Sequence, residues 1–323
     1  MALQVARIEL AGDLCWAVQS AAGLRRLEGI YPTTRAFFEQ GGPADAAASQ
    51  ASGPIIVPDR ILSPVTHDAR FVCQATNYAS HVKEVGGDPA AMVDNVIFTK
   101  AASCIVPADA EIIRPAHVQL LDYEIELGLV LKRGFNGPEP ISENDLADWI
   151  GGLVIVNDIT ARDVQISHMQ FHKSKSYRTF GPVGPWLVLP EPAELARWRE
   201  LELVLTVDGE ERQRAQAGDM IFQPAETLTE LSAIMDLAAG DLIATGTPGG
   251  VALRPPPPLV QAIAGFLSPA RRFALFLKGQ LKRPHYLRDG QIMRATIRTP
   301  DGVLDLGEQH NRVCAAGAVR PPS

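Results

Sequence analysis

Three acids on one candidate strand, and a fourth at the end of the next, are the residues best placed to do chemistry. The stretch LLDYEIELGLVLKRG, residues 120–134, alternates Asp122, Glu124 and Glu126 with Leu121, Tyr123, Ile125 and Leu127. Side chains alternate between the faces of a strand, so the three acids share one face. Residues two apart lie about 6.5–7 Å from each other along a strand, a spacing at which carboxylates repel but can close on one cation. The competing reading is a solvated acidic face on a half-exposed antiparallel strand. The following segment, WIGGLVIVNDITARD, reaches Asn157-Asp158 after the apolar LVIV. An acid at the end of a buried strand is costly unless it is paired or binds a metal. A Glu-x-Glu strand with an Asp from its neighbour makes an all-oxygen site suited to Mg²⁺, Mn²⁺ or Ca²⁺. No Cys/His cluster competes. His168 and His172 have the i,i+4 spacing of helical metal ligands, but no Glu stands between them as in HExxH. SHMQFHKSK is polar enough to read as a loop.

The elements that must position these groups are mostly strands. The chain has 323 residues, 46% hydrophobic and 21% charged, with a net charge of −7. That is an ordinary globular composition, and the acidic balance argues against nucleic acid or an anionic membrane as the main partner. Cys15, Cys73, Cys104 and Cys314 are scattered without a zinc-like spacing, which reads as a reducing compartment. The N-terminal residues lack a signal-peptide pattern, and no apolar run approaches the roughly 20 residues that span a bilayer. A soluble cytoplasmic protein is the expectation.

Residues 1–38 read as short strands, and 39–54 as a Gly/Pro/Ala-rich connector whose alanines could form a short helix. ARFVCQAT (69–76) reads as a strand leading into a helical turn at NYASHVKE, ended by Gly86-Gly87. VIFTK, LDYEIELGLVL, GLVIVND, GPWLVL, LELVLTVDGEE and DLIATGT are strand candidates. Helices are expected at 142–150, with Ser142 as N-cap and Asp145 three residues on, and at 225–236. One or two helices broken at Pro269 follow RPPPPLV. Strands outnumber helices and do not alternate with them, so the expected class is α+β and β-rich, a roll or sandwich. The expected division is a small N-terminal β domain with connector over 1–65 and a catalytic domain over 66–323, carrying a helical insertion at 254–286.

NYASHVKE, VIFTK, DYEIELGLVL, NDITARDVQ, KSYRTFGPVGPW, VDGEERQ, DMIF and GDLIATGTPGGV occur in the order seen in the fumarylacetoacetate hydrolase family. The resemblance runs from about residue 60 to 252, with a weaker echo near the end. It implies a β-roll catalytic domain, a homodimer, and a divalent metal, Mg²⁺ or Mn²⁺ or Ca²⁺, held by Glu124, Glu126 and Asp158. Asp122 is expected beside the site or on the surface. It implies His81 and Glu84 as a pair that activates water, since residues three apart on a helical turn can face each other. Lys175 matches the lysine beside the metal, preferred over Lys173. Gln165 and Thr247 match substrate contacts, and Lys100 a group near the substrate carboxylate. Arg162 and Asp163 are expected to pair with each other beside the site.

The chain departs from the family pattern at CQATNY and QAGDMIF. It also carries an extra segment at 254–286, either a packing helix or a cap over an apolar pocket. The implied reaction is hydrolysis of a C–C bond in a β-diketone or acylpyruvate-like 2-oxo acid, in aromatic compound catabolism. Decarboxylation, tautomerisation or hydration through an enolate at the same metal is the alternative. A non-catalytic protein with structural Ca²⁺ is the remaining one.

Overall fold

A computed structural model describes residues 2–84, 86–256 and 266–317. Two sheets dominate. The larger has ten strands. Its path runs Gly23–Arg26, Asp13–Ser20, Leu3–Leu10, Leu187–Leu189, Ile150–Asn157, Ile125–Leu131, Leu242–Ala244, Phe71–Ala75 and Val96–Lys100, with Arg60–Leu62 also on Leu3–Leu10. The smaller runs Glu210–Gln216, Glu202–Val207, Ile292–Arg298, Asp305–Ala315 and Ile112–Arg114. Both are mixed: Leu242–Ala244 pairs parallel with Phe71–Ala75, and Asp305–Ala315 parallel with Ile112–Arg114. This is the α+β, strand-rich class expected from the sequence.

The centre of the large sheet is apolar on both faces. Leu127, Leu129, Leu153 and Ile155 face a cluster shared with Leu203, Leu205 and Ile297 of the small sheet. Val130, Val154 and Val156 face a second cluster containing Val5, Trp16 and Phe37. Gly128 is required between the two central strands, because a Cβ there would lie 2.6 Å from Val154 and 2.8 Å from Val156. The strands of residues 1–65 therefore belong to the same sheet and core as the rest. Trp16 stacks on Phe37 at 4.5 Å between ring centres, and its Nε1 donates to the Tyr31 carbonyl at 2.8 Å.

Several elements differ from the sequence expectation. Residues 39–54 take the helical alternative, as Gly42–Ser52, rather than a flexible connector. LELVLTVDGEE is a hairpin turning at Asp208 and Gly209, both at positive φ, as a two-residue turn of this hand demands. SHMQFHKSK is not a loop: it spans the helices Arg162–His168 and Phe171–Lys175, separated at left-handed Met169. His168 contacts the Val164 carbonyl and His172 the Thr99 carbonyl, so the two do not share a ligand. The helix at 142 begins with the expected Ser142–Asp145 capping box, first as one 3₁₀ turn and then as Leu146–Trp149. The second expected helix is Pro224–Ile234. In the extra segment, Pro269–Gln280 is helical, Pro269 starting the helix instead of breaking one, and 257–265 lie outside the described residues. No helix among the described residues is long and apolar enough to cross a membrane.

Truncating Trp16 removes both the stacked ring and its hydrogen bond from a closed cluster. Trp16→Ala is expected to cost about 3–5 kcal/mol in denaturant unfolding, within a single transition. Two separated transitions would show that residues 1–65 fold on their own.

Candidate metal centre and active-site cavity

The acidic strand is interrupted where the chemistry sits. Leu121–Asp122 pairs with Thr160–Ala161, Tyr123 and Glu124 leave the ladder, and Ile125–Leu131 resumes in the large sheet. Side chains replace the missing ladder partners. The Glu124 N–H donates to Asn157 Oδ1 at 3.0 Å, the Ile125 N–H to Gln213 Oε1 at 3.0 Å, and the Tyr123 N–H to Asp122 Oδ1 at 2.9 Å. The Asp158 N–H donates to the Glu124 carbonyl at 2.8 Å, fixing the second acid segment against the first. Glu124, Glu126 and Asp158 thereby meet, 5%, 1% and 0% exposed, each offering one oxygen within 4.8 Å of the others. The solvated acidic face does not exist; every residue from 120 to 131 is buried.

Three buried cations compensate the acids. Lys175 Nζ donates to Glu124 Oε2 and Asp158 Oδ2, each at 2.6 Å, and to Thr160 Oγ1 at 2.8 Å. Lys100 Nζ donates to Asp158 Oδ1 at 2.6 Å and to the Phe180 carbonyl at 2.8 Å. Arg162 spans Asp122, Glu124 and Gln165. Burial would push Glu124 up, but Arg162 and Lys175 hold it below the usual carboxylate range. Glu126 has no such cation. Burial, then the charges of Asp158 and Glu124, push it well above that range, and among the described residues its one hydrogen-bond partner is the Gly246 N–H at 2.9 Å. Gly246 reaches it from positive φ in a turn where a Cβ would press on Asn77. An all-carboxylate set with one uncompensated member fits a hard divalent cation, held by Glu124, Glu126 and Asp158.

His81 stands on the short helix Ala79–Glu84 and is 6% exposed. Its Nδ1 lies 3.5 Å from Glu84 Oε2 and has no hydrogen-bond partner among the described residues. His81, Glu124, Glu126, Lys175, Gln165 and Thr247 all line one cavity of about 220 Å³. The apolar Val96, Phe98, Phe171 and Leu253 line the same cavity. Gln165 Oε1 accepts from Arg162 at 2.9 Å, and Thr247 Oγ1 donates to the Ile125 carbonyl at 3.0 Å. Lys100 is placed behind Asp158 and away from the cavity lining.

One placement escapes the sequence reading, and one open alternative is decided. Arg162 is not paired with Asp163, which instead accepts from the Gln119 N–H; Arg162 is a buried wall of the cavity. Asp122 takes the first of its two expected places, buried beside the site rather than on the surface. It anchors Arg162 and accepts from the Ala252 and Leu253 N–H groups at 2.8 and 3.2 Å. An arginine embedded in the apolar strand–helix junction DITARDV was the available signal for Arg162. Gln213, 1% exposed, closes the motif VDGEERQ, but the motif alone gave it no role.

Removing one member of a buried ion pair strands the other, at about 3–5 kcal/mol. Lys100→Met is expected to lower stability by that amount in denaturant, though Lys100 does not line the cavity. In titration calorimetry, Glu126→Gln is expected to weaken Mn²⁺ binding at least as much as loss of a supporting hydrogen-bond partner does, roughly 10–100-fold. Unchanged affinity would remove Glu126 from the ligand set.

Comparison with known proteins gives a consistent placement. The family model described as fumarylacetoacetate (FAA) hydrolase C-terminal matches residues 70–314. The chain is 33% identical over 288 residues to a Burkholderia cenocepacia protein provisionally named a hydrolase, covering 88% of this chain and 89% of that one. It is 40% identical over 196 residues to an oxaloacetate tautomerase from Bacillus subtilis, covering 59% of this chain and 63% of that one. The solved fumarylacetoacetate hydrolase from psychrophilic Exiguobacterium antarcticum matches with a TM-score of 0.73 at 29% identity, covering 97% of this chain and 100% of that one. With the converging acids, the His81–Glu84 turn and a matched region covering most of its length, this chain belongs to the fumarylacetoacetate hydrolase family.

Proposed function

We propose that this protein hydrolyses a carbon–carbon bond in a small 2-oxo acid bearing a second carbonyl, an acylpyruvate or related β-diketone. The observation that supports this reading is the shared cavity, lined together by a buried imidazole, the carboxylates and apolar side chains. A divalent cation, Mg²⁺ or Mn²⁺, held by Glu124, Glu126 and Asp158 would supply electrophilic polarisation of the substrate oxygens. His81 takes a proton from water, and Glu84 favours the imidazolium that forms. The water oxygen bonds to the distal carbonyl carbon. The C–C bond then breaks, and its electron pair passes into the neighbouring carbonyl as an enolate. Lys175 lies beside the acids to stabilise the charge on oxygen. His81 returns its proton to the leaving carbon. Val96, Phe98, Phe171 and Leu253 would receive the acyl end.

A second reading has support from the tautomerase relative. There His81 takes the proton from carbon rather than from water. The C–H pair becomes the enol double bond, and the oxygen is protonated in turn.

A panel of acylpyruvates, 1,3-diketones and oxaloacetate, assayed with Mg²⁺ or Mn²⁺ and with chelator, separates these by product mass. Two products mean hydrolysis, an unchanged mass tautomerisation, and loss of CO₂ decarboxylation. His81→Ala is expected to lower kcat by about 10²–10⁴. Full activity in that variant would remove His81 from the mechanism.

A further inference from the structure

The helix that carries His81 and Glu84 has only six residues. Isolated helices of that length are not stable in water, so tertiary ties must hold it. Among the described residues, its polar side-chain ties come from one loop. The Gly249 N–H donates to Ser80 Oγ at 3.0 Å, and the Gly250 N–H to both Glu84 oxygens at 3.0 and 3.1 Å. Arg254 closes the set with an ion pair to Glu84 Oε1, leaving Oε2 as the oxygen nearest His81 Nδ1. The Arg254 guanidinium also donates to the Val251 and Leu253 carbonyls, so it is braced against its own loop.

The loop is in turn held by the extra segment. Gln280, at the end of Pro269–Gln280 and 5% exposed, donates to the Arg254 carbonyl at 2.7 Å. Its Oε1 accepts from the buried Tyr286 hydroxyl at 2.8 Å. Leu277 of the same helix packs on the main core. A solvent-exposed ion pair contributes little, and such a pair would have no consequence for catalysis. Here the carboxylate side is 14% exposed and is the partner of the proposed base.

We propose that Arg254 is a positioning residue, which fixes Glu84 and through it orients His81 over the cavity, and that Gln280 of the extra segment braces Arg254 for that task. This rests on the reading of His81 as the base. It assigns the segment the job of a strut rather than of a cap over the pocket.

The test uses the full chain with Mn²⁺ and whichever panel compound turns over. In Arg254→Ala, amide exchange across Ala79–Glu84 is expected to quicken about tenfold or more, with Ile125–Leu131 unchanged. In the same variant kcat is expected to fall about tenfold, with KM held within about twofold, because the change acts on the base rather than on ground-state binding. Arg254→Lys, which keeps the charge without the braced fork, is expected to recover kcat to within about threefold of wild type. Gln280→Ala is expected to move exchange and kcat in the same direction by less. Wild-type exchange and kcat in Arg254→Ala would overturn the proposal, and wild-type behaviour in Gln280→Ala would overturn the strut. Arg254→Ala that loses protection throughout the sheet would make Arg254 a folding residue and also overturn it. A fully active His81→Ala is a different failure, one that removes the base while the effect of Arg254 on helix exchange can still be seen.

Discussion

The structure depends on bringing carboxylates from two adjacent segments together in a dry interior. Water does not screen them there, and an uncompensated charge costs several kcal/mol. Asp122, Glu124, Glu126 and Asp158 face Lys100, Lys175 and Arg162, all seven of them buried. The distribution is uneven. Asp158 takes both lysines, and Glu124 takes Lys175 and Arg162, while Glu126 accepts from a backbone N–H and pairs directly with no cation among the described residues. Burial and the neighbouring carboxylates push Glu126 upward, and a divalent cation is the species that would relieve it. The cations act as structural counter-charges first, and Lys175 and Arg162 also line the cavity, whereas Lys100 does not.

This convergence needs irregular backbone. A regular strand would point Glu124 and Glu126 the same way, two residues apart, with every N–H bonded across the ladder. Instead the ladder is broken at Tyr123–Glu124, and Asn157, Gln213 and Asp122 take up the freed N–H groups. Orphaned backbone donors in a core are expensive, so these three polar side chains are what makes the break tolerable. They occur in otherwise apolar surroundings for that reason.

The same physics decides what the sequence could reveal. The period-two alternation at 121–127 and the apolar run before Asp158 expose the converging acids, because periodicity records which side chains share a face. It does not record whether that face meets water, and here both faces are buried. Local pairing was misleading for Arg162, whose partners Asp122 and Glu124 are distant in sequence while Asp163 is adjacent. Lys100 shows the same limit: a lysine at the end of VIFTK looks like a surface residue until Asp158 is placed next to it. SHMQFHKSK hid two helices because its polar residues spend their hydrogen bonds on local carbonyls, and the left-handed Met169 between them has no glycine to announce it. The Asp208-Gly209 turn was legible in principle, since Asp-Gly is a strong hairpin signal inside an alternating run.

The site divides into a rigid part and a tethered part. Glu126 stands on a central strand of the large sheet, and Glu124 and Asp158 directly flank the central strands Ile125–Leu131 and Ile150–Asn157, which are buried on both faces and open only with global unfolding. The imidazole stands on a single short helix whose polar side-chain anchors run to residues 249–254. That loop is itself fastened to the carboxylate centre where Asp122 accepts from the Ala252 and Leu253 N–H groups. Asp122 therefore links the two parts, bonding Arg162 on the acid side and the loop on the other. A change in either part would be felt by the other through Asp122, because coupling between two sites is reciprocal. The carboxylate centre and the imidazole helix are thus joined by one buried carboxylate that lies outside the converging acids.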